Sequence, residues 1–206
     1  ELLVEIRPAI NVCIHDRMAI KGKQARAVIP RDGSAIGEIR LVETKRGIGD
    51  EAHDAIERWA FHKLGRPTKP PKPLSEAAMT AFMSFEDWAK GADLTPIAAE
   101  VVLYSDHYQY AGTCDLVATV NGHLTILDWK TSKRIYTKDL LQSAAYQVAW
   151  TEMGHRKPEG AFVVRLPKDL DADLEVEVVT VPPVEELWPG FEACLTLWKF
   201  LHARGG

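Results

Sequence analysis

The dipeptide Asn121-Gly122 leaves this chain the least freedom. Asn-Gly readily takes the two positive φ angles of a type I′ turn, and here it stands between two β-rich runs, Thr113 to Val120 and His123 to Trp129. The two runs should fold back on each other as an antiparallel hairpin. Asp115 and Asp128 lie equally far from the turn centre, so the pairing sets them opposite one another. Lys130 follows Asp128 by two positions and therefore shares its face of the strand. Facing carboxylates without a counter-ion repel until one is neutralised, so this grouping implies a divalent cation held by oxygen ligands, Mg²⁺ or Mn²⁺. A lysine beside such an ion can orient or deprotonate a water and steady the charge that builds on phosphorus. That is the chemistry of phosphodiester hydrolysis.

The flanking segments read as alternating helices and strands. From Gly49 to Leu64 the apolar positions Ala52, Ile56, Trp59, Ala60 and Leu64 follow helical spacing, and Gly65 and Pro67 end the element. His53 sits at the edge of that stripe, where a histidine ordinarily faces solvent or fills a core. Arg66 to Pro73 is an extended, proline-rich basic linker, and Ser75 caps a helix running to Lys90 whose aromatics, Phe82, Phe85 and Trp88, should be core. Pro96 to Tyr104 reads as a strand with one carboxylate inside it, Glu100, and buried acids are rare unless paired. Asp106 and His107 should turn the chain into the hairpin. Thr137 is the expected N-cap of a helix from Lys138 to Met153, on which Gln142 and Tyr146 share a face. Strands are expected at Gly160 to Leu166 and Leu174 to Val181. A last helical region follows from Val184 to His202, which Pro189-Gly190 should kink or interrupt. Glu1 to Arg46 reads as irregular or β-like structure.

Gly112-Thr113-Cys114-Asp115, Asp128-Trp129-Lys130-Thr131, the pair Gln142 and Tyr146, and His53 stand in an order that resembles the PD-(D/E)XK nuclease superfamily. The likeness is to the branch that includes the RecB nuclease domain, the CRISPR-associated exonucleases and the mitochondrial genome-maintenance exonuclease. The resemblance implies an α/β, restriction-endonuclease-like fold, with a central mixed β-sheet flanked by helices. It also implies a metal-dependent DNA exonuclease serving recombination, repair or mobile-element DNA processing. Asp115, Asp128, Lys130 and Glu100 would be catalytic, and His53, Glu100, Asp115, Asp128 and the Trp129 carbonyl would hold one or two Mg²⁺ or Mn²⁺ ions. Gln142 and Tyr146 would bind a DNA phosphate or order the lysine, and Thr131 and Lys133 would touch DNA. The substrate would be single-stranded or double-stranded DNA ends, with a recombination partner protein possible. The alternatives are a structure-specific endonuclease or the nuclease part of a larger recombination complex, and a catalytically silent DNA-binding module.

The chain, 206 residues long, fits one nuclease domain over 1–206: an N-terminal extension over 1–46, a helical segment over 47–95 and a catalytic αβ core over 96–206. A start at Glu rather than Met suggests that sequence precedes it. The absence of a long apolar run or a secretory pattern, together with three scattered cysteines, leads us to expect a protein of the reducing cytoplasm. Relatives with an iron–sulfur cluster use one early and three late cysteines. Only Cys194 is late here, so no cluster is expected. The formal net charge of −4 is unusual for a DNA binder, but the basic residues gather in groups, one of them Lys130, Lys133, Arg134 and Lys138.

Overall fold

The computed structural model describes residues 48–68, 70–167 and 176–203; the expectation for Glu1 to Arg46 lies outside them. Five strands form one sheet in the order β1 (Thr95–Ser105), β2 (Tyr110–Val120), β3 (His123–Lys130), β4 (Gly160–Arg165) and β5 (Glu177–Thr180). Helices α1 (Ile48–Lys63), α2 (Glu76–Gly91), α3 (Thr137–Glu152) and α4 (Val184–Ala203) flank it. Neighbouring strands are antiparallel except β3 and β4, which run parallel and are joined through α3, since a parallel pair needs a crossover. The described fold is therefore α/β with a mixed sheet.

Each face of the sheet has its own core. On one side α1 and α2 bring Ile56 and Phe85 against Leu116, Leu127 and Trp129. On the other, α3 and α4 bring Ala145, Tyr146 and Phe191 against Cys114, Val117 and Ile126. β3 is covered on both faces and is correspondingly buried from Leu124 to Trp129. The β2–β3 hairpin turns at Asn121 (φ 49°) and Gly122 (φ 83°), with Val120 opposite His123 and Leu116 opposite Leu127. The turn is where Asn-Gly called for it.

The aromatic stripe of α2 seats the hairpin. Phe85 is fully buried, its ring 5.0 Å from Trp59 and 5.1 Å from Trp129, and Trp88 lies 6.0 Å from Trp129. Because Trp129 is drawn to this side, the alternation of β3 sends Asp128 and Lys130 to the other, toward α3.

Two expectations about helix ends and breaks need correction. Thr137 is the first residue of α3, and Tyr136 takes the N-cap position, its N–H donating to Asp139 Oδ2 at 2.9 Å. Asp139 three residues on is the better signal there, because its carboxylate accepts the N-cap N–H while its own N–H turns to the Tyr136 carbonyl, so no N-cap hydroxyl is required. The interruption allowed for at Pro189-Gly190 does not occur, and helix α4 continues through both residues. The proline stands early in the helix, where its missing N–H forgoes only the bond to the Glu185 carbonyl.

Candidate active site

The site grows out of a place where the sheet divides. The β2–β3 pairing ends at Leu116 and Leu127. Beyond it β2 remains paired with β1 back to Tyr110, while β3 continues alongside β4 to Lys130. Asp115 and Asp128 are the first residues past this fork. The Trp129 N–H donates across it to Asp115 Oδ2 at 2.8 Å, so a side chain takes over where the backbone ladder stops.

The facing of side chains also changes at this rung. Cys114 and Val101 belong to the core under α3 and α4, whereas Leu116 and Ala99 belong to the core under α1 and α2. In both strands residues two apart have exchanged faces, and the residue between them is Asp115 in β2 and Glu100 in β1. The register brackets these as opposite each other. Glu100 absorbs the switch with φ at 52°, a left-handed conformation uncommon for any residue but glycine. The polar pair thus occupies the rung at which neither apolar core claims a side chain.

Asp128 is 3% exposed, and its Oδ2 forms an ion pair with the Lys130 ammonium. Lys130 Nζ also donates to Gln142 Oε1 at 3.1 Å, and Gln142 Nε2 donates to the Tyr146 hydroxyl at 2.7 Å. A lysine only donates, so it fixes the amide with its oxygen inward. His53 reaches the fork from α1, with Nδ1 3.9 Å from Asp115 Oδ2. The fold therefore gathers Asp115, Asp128, Lys130, Gln142, Tyr146 and His53, with part-buried Glu100 on the neighbouring strand.

Tyr146 is 3% exposed, and its hydroxyl accepts from the same Gln142 amide that faces Lys130. Thr131 is half-buried against α1, close enough to Gly49 that a β-carbon there would collide with its Oγ1. Lys133 is exposed.

The model of the PD-(D/E)XK nuclease superfamily matches residues 36–196. The chain belongs to this superfamily. No curated protein matches it. Among solved structures it is similar to one described as "Putative exonuclease" from Eubacterium rectale, at 14% identity and a TM-score of 0.45. That alignment covers 74% of this chain and 66% of the other, so the chain spans just under two thirds of that protein's length.

The electrostatics of this superfamily member follow from burial. Burial pushes the Asp128 carboxyl up to about 6, with Lys130 opposing the rise and Asp115 adding to it. For Lys130 burial acts downward, but Asp128 and Asp115 outweigh it and hold the proton on the amine above the ordinary lysine range. Burial, then the charges of Asp128 and Asp115, push the Tyr146 phenol well up, so it stays a neutral hydroxyl. Sequence reasoning missed Tyr136 and Asp139, which set the start of α3 and hence the position of Gln142. The Tyr-Thr-Lys-Asp spacing was the available signal.

Proposed function

We propose that this chain is a divalent-cation-dependent deoxyribonuclease that degrades DNA from its ends. The observation that carries the reading is the meeting of Asp115, Asp128 and Lys130 at the fork between β2 and β3. Among the described residues no three His, Cys, Asp or Glu side chains stand close enough to hold an ion by themselves. The donor chemistry nevertheless suits one. Two carboxylates against a single ammonium leave excess negative charge, and one of them, Asp128, is buried with that ammonium against its Oδ2. Oxygen donors of this kind favour Mg²⁺ or Mn²⁺, with Asp115 and Asp128 as the side-chain ligands and the Trp129 carbonyl, Glu100, His53 and water to complete the shell. When bound, such an ion neutralises phosphate charge and acidifies a water.

The residues of the chain divide the remaining work. Lys130, kept charged by its carboxylate neighbours, orients the attacking water and faces the charge that develops on phosphorus. Gln142 and Tyr146 hold its ammonium in register. Thr131 and Lys133, next along the chain, contact the strand.

End-labelled linear and closed circular DNA, each with Mg²⁺ or Mn²⁺, test this. Wild type should shorten the linear form and spare the circle, and Lys130→Ala and Asp115→Ala should each lose about 10²–10⁴-fold in rate. Cutting of the circle would assign an endonuclease instead. Identical traces from wild type and both variants would leave a silent DNA-binding module.

A further inference from the structure

The connector from Lys130 into α3 carries more charge than the site uses. Residues 130–138, KTSKRIYTK, include four cations and no acid, in a chain whose formal net charge is −4. Lys130 is engaged by Asp128 and Gln142. Among the described residues no ion pair forms to Lys133, Arg134 or Lys138.

This segment is held in shape. Arg134 Cζ lies 4.9 Å and Lys138 Nζ 5.3 Å from the centre of the Tyr136 ring, distances at which the negative face of an aromatic attracts a cation. Tyr136 is itself fastened at both backbone groups. Its N–H donates to Asp139 Oδ2 and its carbonyl accepts from the Asp139 N–H, each at 2.9 Å, and Asp139 is buried. Ser132 Oγ donates to the Arg134 carbonyl at 2.7 Å. Two cations drawn to one ring repel each other, and the nearby Asp139 carboxylate is taken up by the Tyr136 N–H rather than by an ion pair to either, so the arrangement is suited to an anion arriving from outside.

We propose that Arg134 and Lys138, positioned by Tyr136, clamp the phosphodiester backbone of the nucleic-acid strand that enters the Asp115, Asp128 and Lys130 centre. The identity of that strand rests on the nuclease reading above. A polymer of phosphates fits better than an isolated anion, because the connector is continuous with Lys130. An anion held at its far end is then joined along the same backbone to the one at the lysine. The Arg134 guanidinium supplies a planar, two-pronged contact and Lys138 a point charge. Contacts of this type carry no base information, so the clamp is indifferent to sequence and sensitive to salt.

The test is the fluorescence anisotropy of a short labelled single-stranded DNA in EDTA, titrated with protein between about 50 and 200 mM KCl. Arg134→Ala and Lys138→Ala should each weaken binding about three- to tenfold and reduce the slope of log affinity against log salt by about 0.7. Tyr136→Leu should weaken it too, and Tyr136→Phe, which keeps the ring, should restore it. Melting curves that overlay wild type separate lost contact from lost fold. No binding by wild type, an Arg134→Ala/Lys138→Ala double variant that binds like wild type, or a Tyr136→Leu variant indistinguishable from it overturns the clamp. If the double variant binds like wild type while Lys130→Ala still abolishes hydrolysis, the clamp alone fails. If the clamp variants behave as expected but wild type hydrolyses nothing with either cation, the nuclease reading alone fails.

Discussion

Lys130 is held by three groups that differ in what they can spare. Asp128 supplies charge, while Gln142 and Tyr146 supply direction through two hydrogen bonds in series. Gln142→Leu therefore keeps the ion pair and removes the direction. The expected outcome is a fall in kcat of about tenfold or more with KM little changed, since an interaction that aligns the reacting groups has been lost without a contact to the bound strand. The buried Tyr146 hydroxyl also loses its partner, which should cost about 1–3 kcal/mol in urea melts. A rise in KM at constant kcat would place Gln142 on the strand instead. The contact between Gly49 and Thr131 is narrower in meaning. A β-carbon at Gly49 meets Thr131 Oγ1, so Gly49→Ala should destabilise by about 1–3 kcal/mol, and Thr131→Ala in the same chain should recover most of that loss.

Trp129 ties the aromatic layer of α2 to the fork. Its ring fills a core on one face while its two neighbours on the strand work on the other. Trp129→Ala should cost about 3–5 kcal/mol in chemical denaturation, and Trp129→Phe much less. Activity per folded molecule should drop as well, because Asp128 and Lys130 flank Trp129 directly on the strand. The hairpin was legible in the sequence because Asn121-Gly122 sets the register and a period of two does the rest. His53, Gln142 and Tyr146 were placed by motif order, which composition alone does not supply. The exchange of faces at Glu100 and Asp115 was not legible. Ile97, Ala98, Ala99, Val101, Val102 and Leu103 form a nearly continuous apolar run, and such a run looks the same whichever way each side chain points. The start of α3 was misjudged for a related reason, since a threonine beside a helix is a stronger stereotype than a tyrosine backed by Asp139.

The parts meet at one opening in the sheet, which α1 approaches from one layer and α3 from the other. A cation bound there would join β2, through Asp115, to β3, through Asp128, at the rung where their own pairing has ended. It would also supply counter-charge to the Asp128 carboxyl, which burial first and Asp115 after it push up to about 6. Binding that is confined to the folded state raises stability by RT ln(1 + [L]/Kd), about 2.7 kcal/mol at a hundredfold excess over Kd. For a domain of this size that corresponds to a rise in Tm of roughly 5–10 °C. Adding Mn²⁺ to protein freed of metal by EDTA should produce such a rise in a thermal melt, and potassium at matched ionic strength should not. Asp115→Asn should melt at one temperature with or without Mn²⁺, because it removes one of the two carboxylates that make the fork attractive to a hard ion. This readout is independent of catalysis, so it also bears on a chain that binds the ion and cuts nothing. A wild-type melt indifferent to Mn²⁺ would mean that Lys130 alone balances the carboxylates, and the fork would then be an ion pair of the fold rather than a metal centre.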